Sequence, residues 1–128
     1  PELMDKWIKY FNSLLKSVKD EETALEAYLS AHVSFVRIHP FFDGNGRMAR
    51  LLANLPVLYA GFPPIVVPSE ARLEYIQELW RYQRAVGAIS PINCEFIPQN
   101  ELLNELRVLI RSWWRSTLDL VSEAKVGK

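Results

Sequence analysis

A single cysteine, Cys94, stands among the 128 residues, so the chain can form no disulfide within itself, a composition that fits a reducing compartment. Net charge is missing too, because fifteen Lys and Arg offset fifteen Asp and Glu. That balance excludes the basic face of a general nucleic-acid binder and the polybasic patch of an electrostatic membrane anchor. No apolar run approaches the roughly 20 residues of a membrane-spanning helix, and no signal peptide opens the chain. Internal repeats and low-complexity tracts are likewise absent. Together these absences imply a cytoplasmic protein with neither nucleic acid nor membrane as partner. Pro1 opens the chain and Met4 falls inside an amphipathic pattern, so the sequence reads as a piece of something longer.

Core-forming residues are abundant. Hydrophobic residues make up 49% of the chain, with four Trp and six Phe. The length suits one domain, residues 1–128, burying roughly two-thirds of the surface its unfolded chain would expose. Periodicity is helical nearly throughout. Leu3, Met4, Trp7, Ile8, Phe11, Leu14, Leu15 and Val18 form one stripe. Asp20 offers a cap to a second helix carrying Leu25, Tyr28, Ala31, His32, Phe35 and Val36. A third begins around Asn45 to Arg47, carries Leu51, Leu52, Leu55 and Leu58, and stops at Gly61 ahead of Pro63 and Pro64. Pro56 should kink or break it. Ser69 is placed to cap a fourth, with Leu73, Ile76, Leu79 and Trp80, and Asn100 a fifth, with Leu103, Leu106, Ile110, Trp113, Trp114 and Leu118. The three residues Ile65 to Val67 look strand-like but make no sheet. The expectation is a compact all-α fold of five to six helices.

Between the second and third helices lies HPFFDGNGRMAR, residues 39–50. Pro40 pushes His39 out of helical geometry. Gly44 and Gly46 can take positive φ and Asn45 tolerates it, so the turn can align backbone amides as a nest for anions. The nest opens onto the unpaired amides and partial positive charge of a helix N-terminus. Arg47 and Arg50 share one face of that first turn, where cations oppose the helix dipole by about 0.3–1 kcal/mol each. An anion would resolve the conflict, and guanidinium forks suit the oxygens of a polyphosphate. Asp43 beside such a nest is a natural Mg²⁺ ligand, and His39 is the side chain fit to take a proton at neutral pH. His32, inside an apolar stripe, reads as structural, and His32, His39 and Asp43 make a poor zinc site. The Trp residues read as core or core-edge, and Phe41 and Phe42 as anchors of the loop. No Walker A lysine follows the glycines. The G-x-G-x-x-A spacing of Gly44 to Ala49 follows a helix rather than a strand, which excludes a Rossmann turn.

The stretch resembles the signature of the Fic (filamentation induced by cAMP) family, His-Pro-Phe-x-Asp/Glu-Gly-Asn-Gly-Arg-x-x-Arg, at every fixed position. The likeness extends to AHVSFVRI before it, RLLANL after it, then AGFPPIVVP and Tyr75, covering roughly residues 1–83. It implies an adenylyltransferase that moves AMP from ATP to a Ser, Thr or Tyr hydroxyl of a target protein. His39 would then be the general base and Asp43 the Mg²⁺ ligand. Gly44, Asn45 and Gly46 would form the anion hole, with Arg47 on the leaving phosphates and Arg50 on the terminal one. Phe41 would be a buried anchor. Tyr75 matches the first of two tyrosines that sit beside the adenine; Ile76 replaces the second, and Gln83 stands where an asparagine is common. The implied partners are ATP, a hydroxyl-bearing protein, the chain itself by auto-modification, and a second copy in a homodimer. The family's β-hairpin flap, which precedes the first helix, has no counterpart in this sequence. The inhibitory pattern Ser/Thr-x-x-x-Glu-Gly/Asn is approached only by Ser17 to Glu21 followed by Glu22, and fails. Alternatives are transfer of another phosphate-containing group (phosphate or another nucleotide) and a non-catalytic nucleotide-binding module.

Overall fold

The computed structural model describes residues 2–38, 45–90, 92 and 94–126. Among them are five α-helices and no strand. They are α1 (Glu2–Ser17), α2 (Glu21–Ile38), α3 (Asn45–Tyr59), α4 (Arg72–Val86) and α5 (Glu101–Val126), with a 3-10 turn at Ser69–Ala71 before α4. The all-α expectation holds. Residues 65–67 stay irregular, with Ile65 and Val67 buried and Val66 exposed between them.

Helix α2 is the centre of the molecule, packed against α1, α3 and α5. Its buried residues include Leu25, Tyr28, Val33 and Phe35, and they reach well round the helix, as an element enclosed by neighbours requires. Asp20 starts it with a reciprocal cap: its Oδ1 accepts from the Thr23 amide at 2.8 Å, and Thr23 Oγ1 accepts from the Asp20 amide at 2.9 Å. From α1, Trp7 lies across α2, stacked on Phe11 at 5.0 Å and donating its indole N–H to Ser34 Oγ at 2.7 Å. Helix α5 runs antiparallel to α2, aligned by Glu26–Arg107, Glu22–Arg111 and Glu21–Arg115 ion pairs. These pairs are substantially exposed, so each contributes about 0–1 kcal/mol and sets register more than stability. Glu21 and Glu22 are thus engaged with α5. Trp114 on α5 is buried and donates to the Pro63 carbonyl at 3.0 Å. Trp113 packs at the core edge, and Trp80 is 42% exposed.

Three expectations need correction. Of the kink or break expected at Pro56, the break does not occur: helix α3 continues to Tyr59. Pro56 sits in its last turn, where the helix is ending anyway. Closure there is made by Gly61 at φ +93°, with its amide on the Leu58 carbonyl and the Phe62 amide on Val57. Second, three of the four leucines of α3 do not face the core, and only Leu52 packs at its edge. Ala49, Ala53 and Val57 are fully buried, whereas Leu51, Leu55 and Leu58 are exposed and Leu52 is half-buried. Alanines let α3 approach α2 closely, a gain that the hydrophobic pattern alone does not reveal. Third, Ser69 makes no capping bond: it opens the 3-10 turn, and α4 starts after Ala71 with no side-chain cap. On α4 the core-facing residues are Tyr75, Leu79 and Tyr82, while Leu73 is exposed. Asn100 does cap α5, accepting the Leu102 amide at 2.9 Å.

Candidate functional site

Helix α3 begins at Asn45, as the spacing predicts, so Gly46 and Arg47 stand in its first turn. Gly46 is already helical; of the two glycines expected to form the turn, it contributes an N-terminal amide rather than a positive φ. The first turn contains no acidic residue. Arg47 is exposed and Arg50 half-buried, and neither forms an ion pair with any described residue. An acid would normally occupy a first turn, so two cations that no described acid neutralises, set at a helix N-terminus, form a ready anion site. His39, Phe41, Phe42, Asp43 and Gly44 lie outside the described residues, as does the side chain of Asn45. Among the described residues no group of three His, Cys, Asp or Glu is arranged to hold a metal.

The surroundings of Arg50 are buried and aromatic. His32 is 1% exposed, and its Nδ1 lies 2.7 Å from the Tyr75 hydroxyl. The Tyr28 ring stands edge-on to the His32 ring, with centroids 5.7 Å apart. Burial, and then the Arg50 charge, pull the His32 pKa down to about 3, so the ring stays neutral at physiological pH. His32 is the structural residue its place in the apolar stripe implied. His32 Nε2 and the Tyr28 hydroxyl have no hydrogen-bond partner among the described residues. Tyr75 is 2% exposed. Its hydroxyl is engaged by His32. Beside Arg50, a cleft of about 290 Å³ is lined by Leu51, Leu58, Val66 and Arg72 among others. Asn54 shapes its far wall by gripping the Ile65 backbone, donating to the carbonyl at 2.9 Å and accepting from the amide at 2.8 Å.

Gln83 is also occupied: its Oε1 accepts from Arg37 Nε at 3.0 Å. Arg37 is the residue that sequence reasoning missed. It is 6% exposed in the last turn of α2 and donates further to the carbonyls of Glu95 (2.7 Å), Phe96 (2.7 Å) and Gly87 (3.1 Å). Its spacing of four from the buried Val33 was the available signal, since it places a cation on an inward face. Nothing in the sequence names carbonyl partners fifty residues downstream.

Residues 1–57 match the Fic/DOC family. The chain is 47% identical over 66 residues to the protein adenylyltransferase fic-1 of Caenorhabditis elegans, covering 48% of this chain and 13% of that protein. It is 43% identical over 81 residues to the protein adenylyltransferase Fic of Nematostella vectensis, covering 62% of this chain and 19% of that one. A third relative, the protein adenylyltransferase Fic of Drosophila grimshawi, is 51% identical over 45 residues, 35% of this chain and 9% of its own. The chain therefore spans at most about a fifth of the length of these curated relatives. No solved structure gives a significant match.

Proposed function

We propose, from a chain whose first 57 residues are Fic/DOC family sequence, that it forms the core of a protein adenylyltransferase. The target's Ser, Thr or Tyr hydroxyl oxygen attacks the α-phosphorus of ATP. A new phosphorus–oxygen bond forms, the bond to the β-phosphate bridging oxygen breaks, and pyrophosphate leaves. His39 takes the hydroxyl proton. Gly44, Asn45 and Gly46 present backbone amides to the phosphates, with Arg47 on the departing diphosphate and Arg50 on the terminal phosphate. The observation that carries this reading is the start of α3, where Arg47 stands in the first turn and Arg50 in the next, with no acid in that first turn. Relatives named as protein adenylyltransferases support the choice of AMP as the group moved. Asp43 would hold Mg²⁺, which when bound offsets phosphate charge.

A second reading has its own support. Tyr75 and Gln83 enter as parts of the wall, because the Tyr75 hydroxyl is bonded to His32 and the Gln83 carbonyl oxygen to Arg37. With base recognition thus unassigned, transfer of another nucleotide or of phosphate uses the same phosphate grip.

Calorimetry with ATP and AMP tests the phosphate assignments. Arg50→Ala should weaken ATP by about 1.5–3 kcal/mol, one charge-assisted contact, and leave AMP unchanged. Equal losses for both nucleotides would move Arg50 to the α-phosphate, and no loss for either would remove it from the site.

A further inference from the structure

We propose that Arg37 is a positioning residue for His39, and that Gln83 serves Arg37 rather than the nucleotide base. The proposal rests on the transferase reading above. Arg37 ends α2 one residue before Ile38, the last helical residue, and His39 follows directly. A lone cation in a last turn usually lies in solvent, favoured by the helix dipole. Arg37 instead turns inward and places four hydrogen bonds on one side-chain oxygen and three backbone carbonyls.

Those carbonyls belong to the end of α4 and to the connection between α4 and α5, which among its described residues has no helix to supply donors. The guanidinium supplies donors to three of these carbonyls at once, so one side chain ties the end of α4 and the connection to the end of α2. The connection is in turn fixed from other sides. Phe96 stacks on Tyr10 of α1 at 4.9 Å, and the Tyr82 hydroxyl of α4 donates to the Pro98 carbonyl. Arg37 is therefore tied to parts that cannot easily follow it. With the guanidinium fixed, only the short backbone from residue 37 to residue 39 separates a rigid anchor from the imidazole. Pro40 restricts the conformation of His39 from the other side. Gln83 presents its carbonyl oxygen to the Arg37 Nε–H, which no backbone group takes in this set. Proton abstraction is sensitive to such placement, since a misplacement of about 1 Å can lower a rate by about 100-fold.

The test compares wild type, Arg37→Lys and Gln83→Ala for three quantities. These are labelled AMP transfer, Mg·ATP affinity, and the imidazole NMR signals of the two histidines. Lysine keeps the charge but cannot hold four acceptors in one plane. Arg37→Lys should lower kcat at least tenfold, change Mg·ATP Kd less than twofold, and shift the His39 signal while leaving that of His32. Gln83→Ala, which leaves the three carbonyl contacts intact and so keeps the fold, should lower kcat severalfold with Kd unchanged. Guanidinium ion added to Arg37→Ala should restore part of the lost transfer. Wild-type transfer by Arg37→Lys, or an unmoved His39 signal, overturns the proposal. A tenfold weaker Kd in Gln83→Ala with unchanged kcat returns that residue to the nucleotide and overturns its assignment to Arg37. If wild type itself transfers nothing, the transferase reading fails, and the His39 signal still decides whether Arg37 positions it.

Discussion

Rotating α3 about its axis would re-aim Arg47 and carry Arg50 away from His32 and Tyr28, and what prevents this is the seating of Ala49 and Ala53, both 0% exposed. Ala53→Leu drives three extra carbons into that contact. Overpacking of this kind costs about 1–3 kcal/mol and sometimes more. For a chain of this length, each kcal/mol lowers the melting temperature by roughly 3–5 °C. The expected fall is therefore roughly 3–15 °C, read by calorimetry. Leu51→Gln is the control on the opposite face. Leu51 is 58% exposed, so the change should stay within about 0.5 kcal/mol, against about 2–5 kcal/mol for truncating a buried leucine. Arg50→Ala-type losses of ATP binding should accompany Ala53→Leu where it still folds, because the arginines ride on the displaced helix. A costly Leu51→Gln beside a neutral Ala53→Leu would show that α3 presents its leucines to the core and would refute the placement of both arginines.

The remaining outcomes concern the buried groups around the site. His32 has its pKa lowered to about 3 in the fold, first by burial and then by Arg50, against about 6.5 when unfolded. Its contribution is therefore fully present above pH 6.5 and is lost as pH falls toward 3, because the unfolded chain binds a proton that the native ring refuses. Between pH 7.5 and pH 5 this costs on the order of 2 kcal/mol. Urea melts should show that slope, and His32→Gln should flatten it; an unchanged slope would place the titrating group elsewhere. Asn54→Ala leaves the amide and carbonyl of Ile65, itself 1% exposed, without their partners. The cost should be about 2–4 kcal/mol by chemical denaturation, whereas a cost under about 0.5 kcal/mol would mean that the 62–68 segment is held by its side chains alone.

The helices, their ends and the all-α class were legible because apolar spacing, Asp20, Asn100 and Gly61 each act locally. The inward face of α3 was not, because Ala49 and Ala53 carry little hydrophobic signal and matter only against the partner helix they let approach. The same holds for Ser69, whose capping chemistry is equally compatible with a 3-10 turn. At the site, the paired arginines at a helix start could be read from spacing alone, since the dipole argument needs only sequence neighbours. Tyr75 and Gln83 could not, because their hydrogen-bond partners His32 and Arg37 lie more than forty residues away in the chain. Arg37 was hidden for the same reason: its carbonyl partners are backbone atoms, which no side-chain pattern marks.

The most direct test of the transferase account uses ATP labelled at the α- or the γ-phosphorus, a lysate of candidate targets, and wild type beside His39→Ala. The account predicts that only the α-label becomes protein-bound. It also predicts that His39→Ala lowers transfer by about 10²–10⁴-fold, the usual contribution of a general base. ATP affinity should be unchanged in that variant, since the base acts on the acceptor and not on the phosphates. Protein-bound γ-label, or transfer by His39→Ala at the wild-type rate, would contradict it.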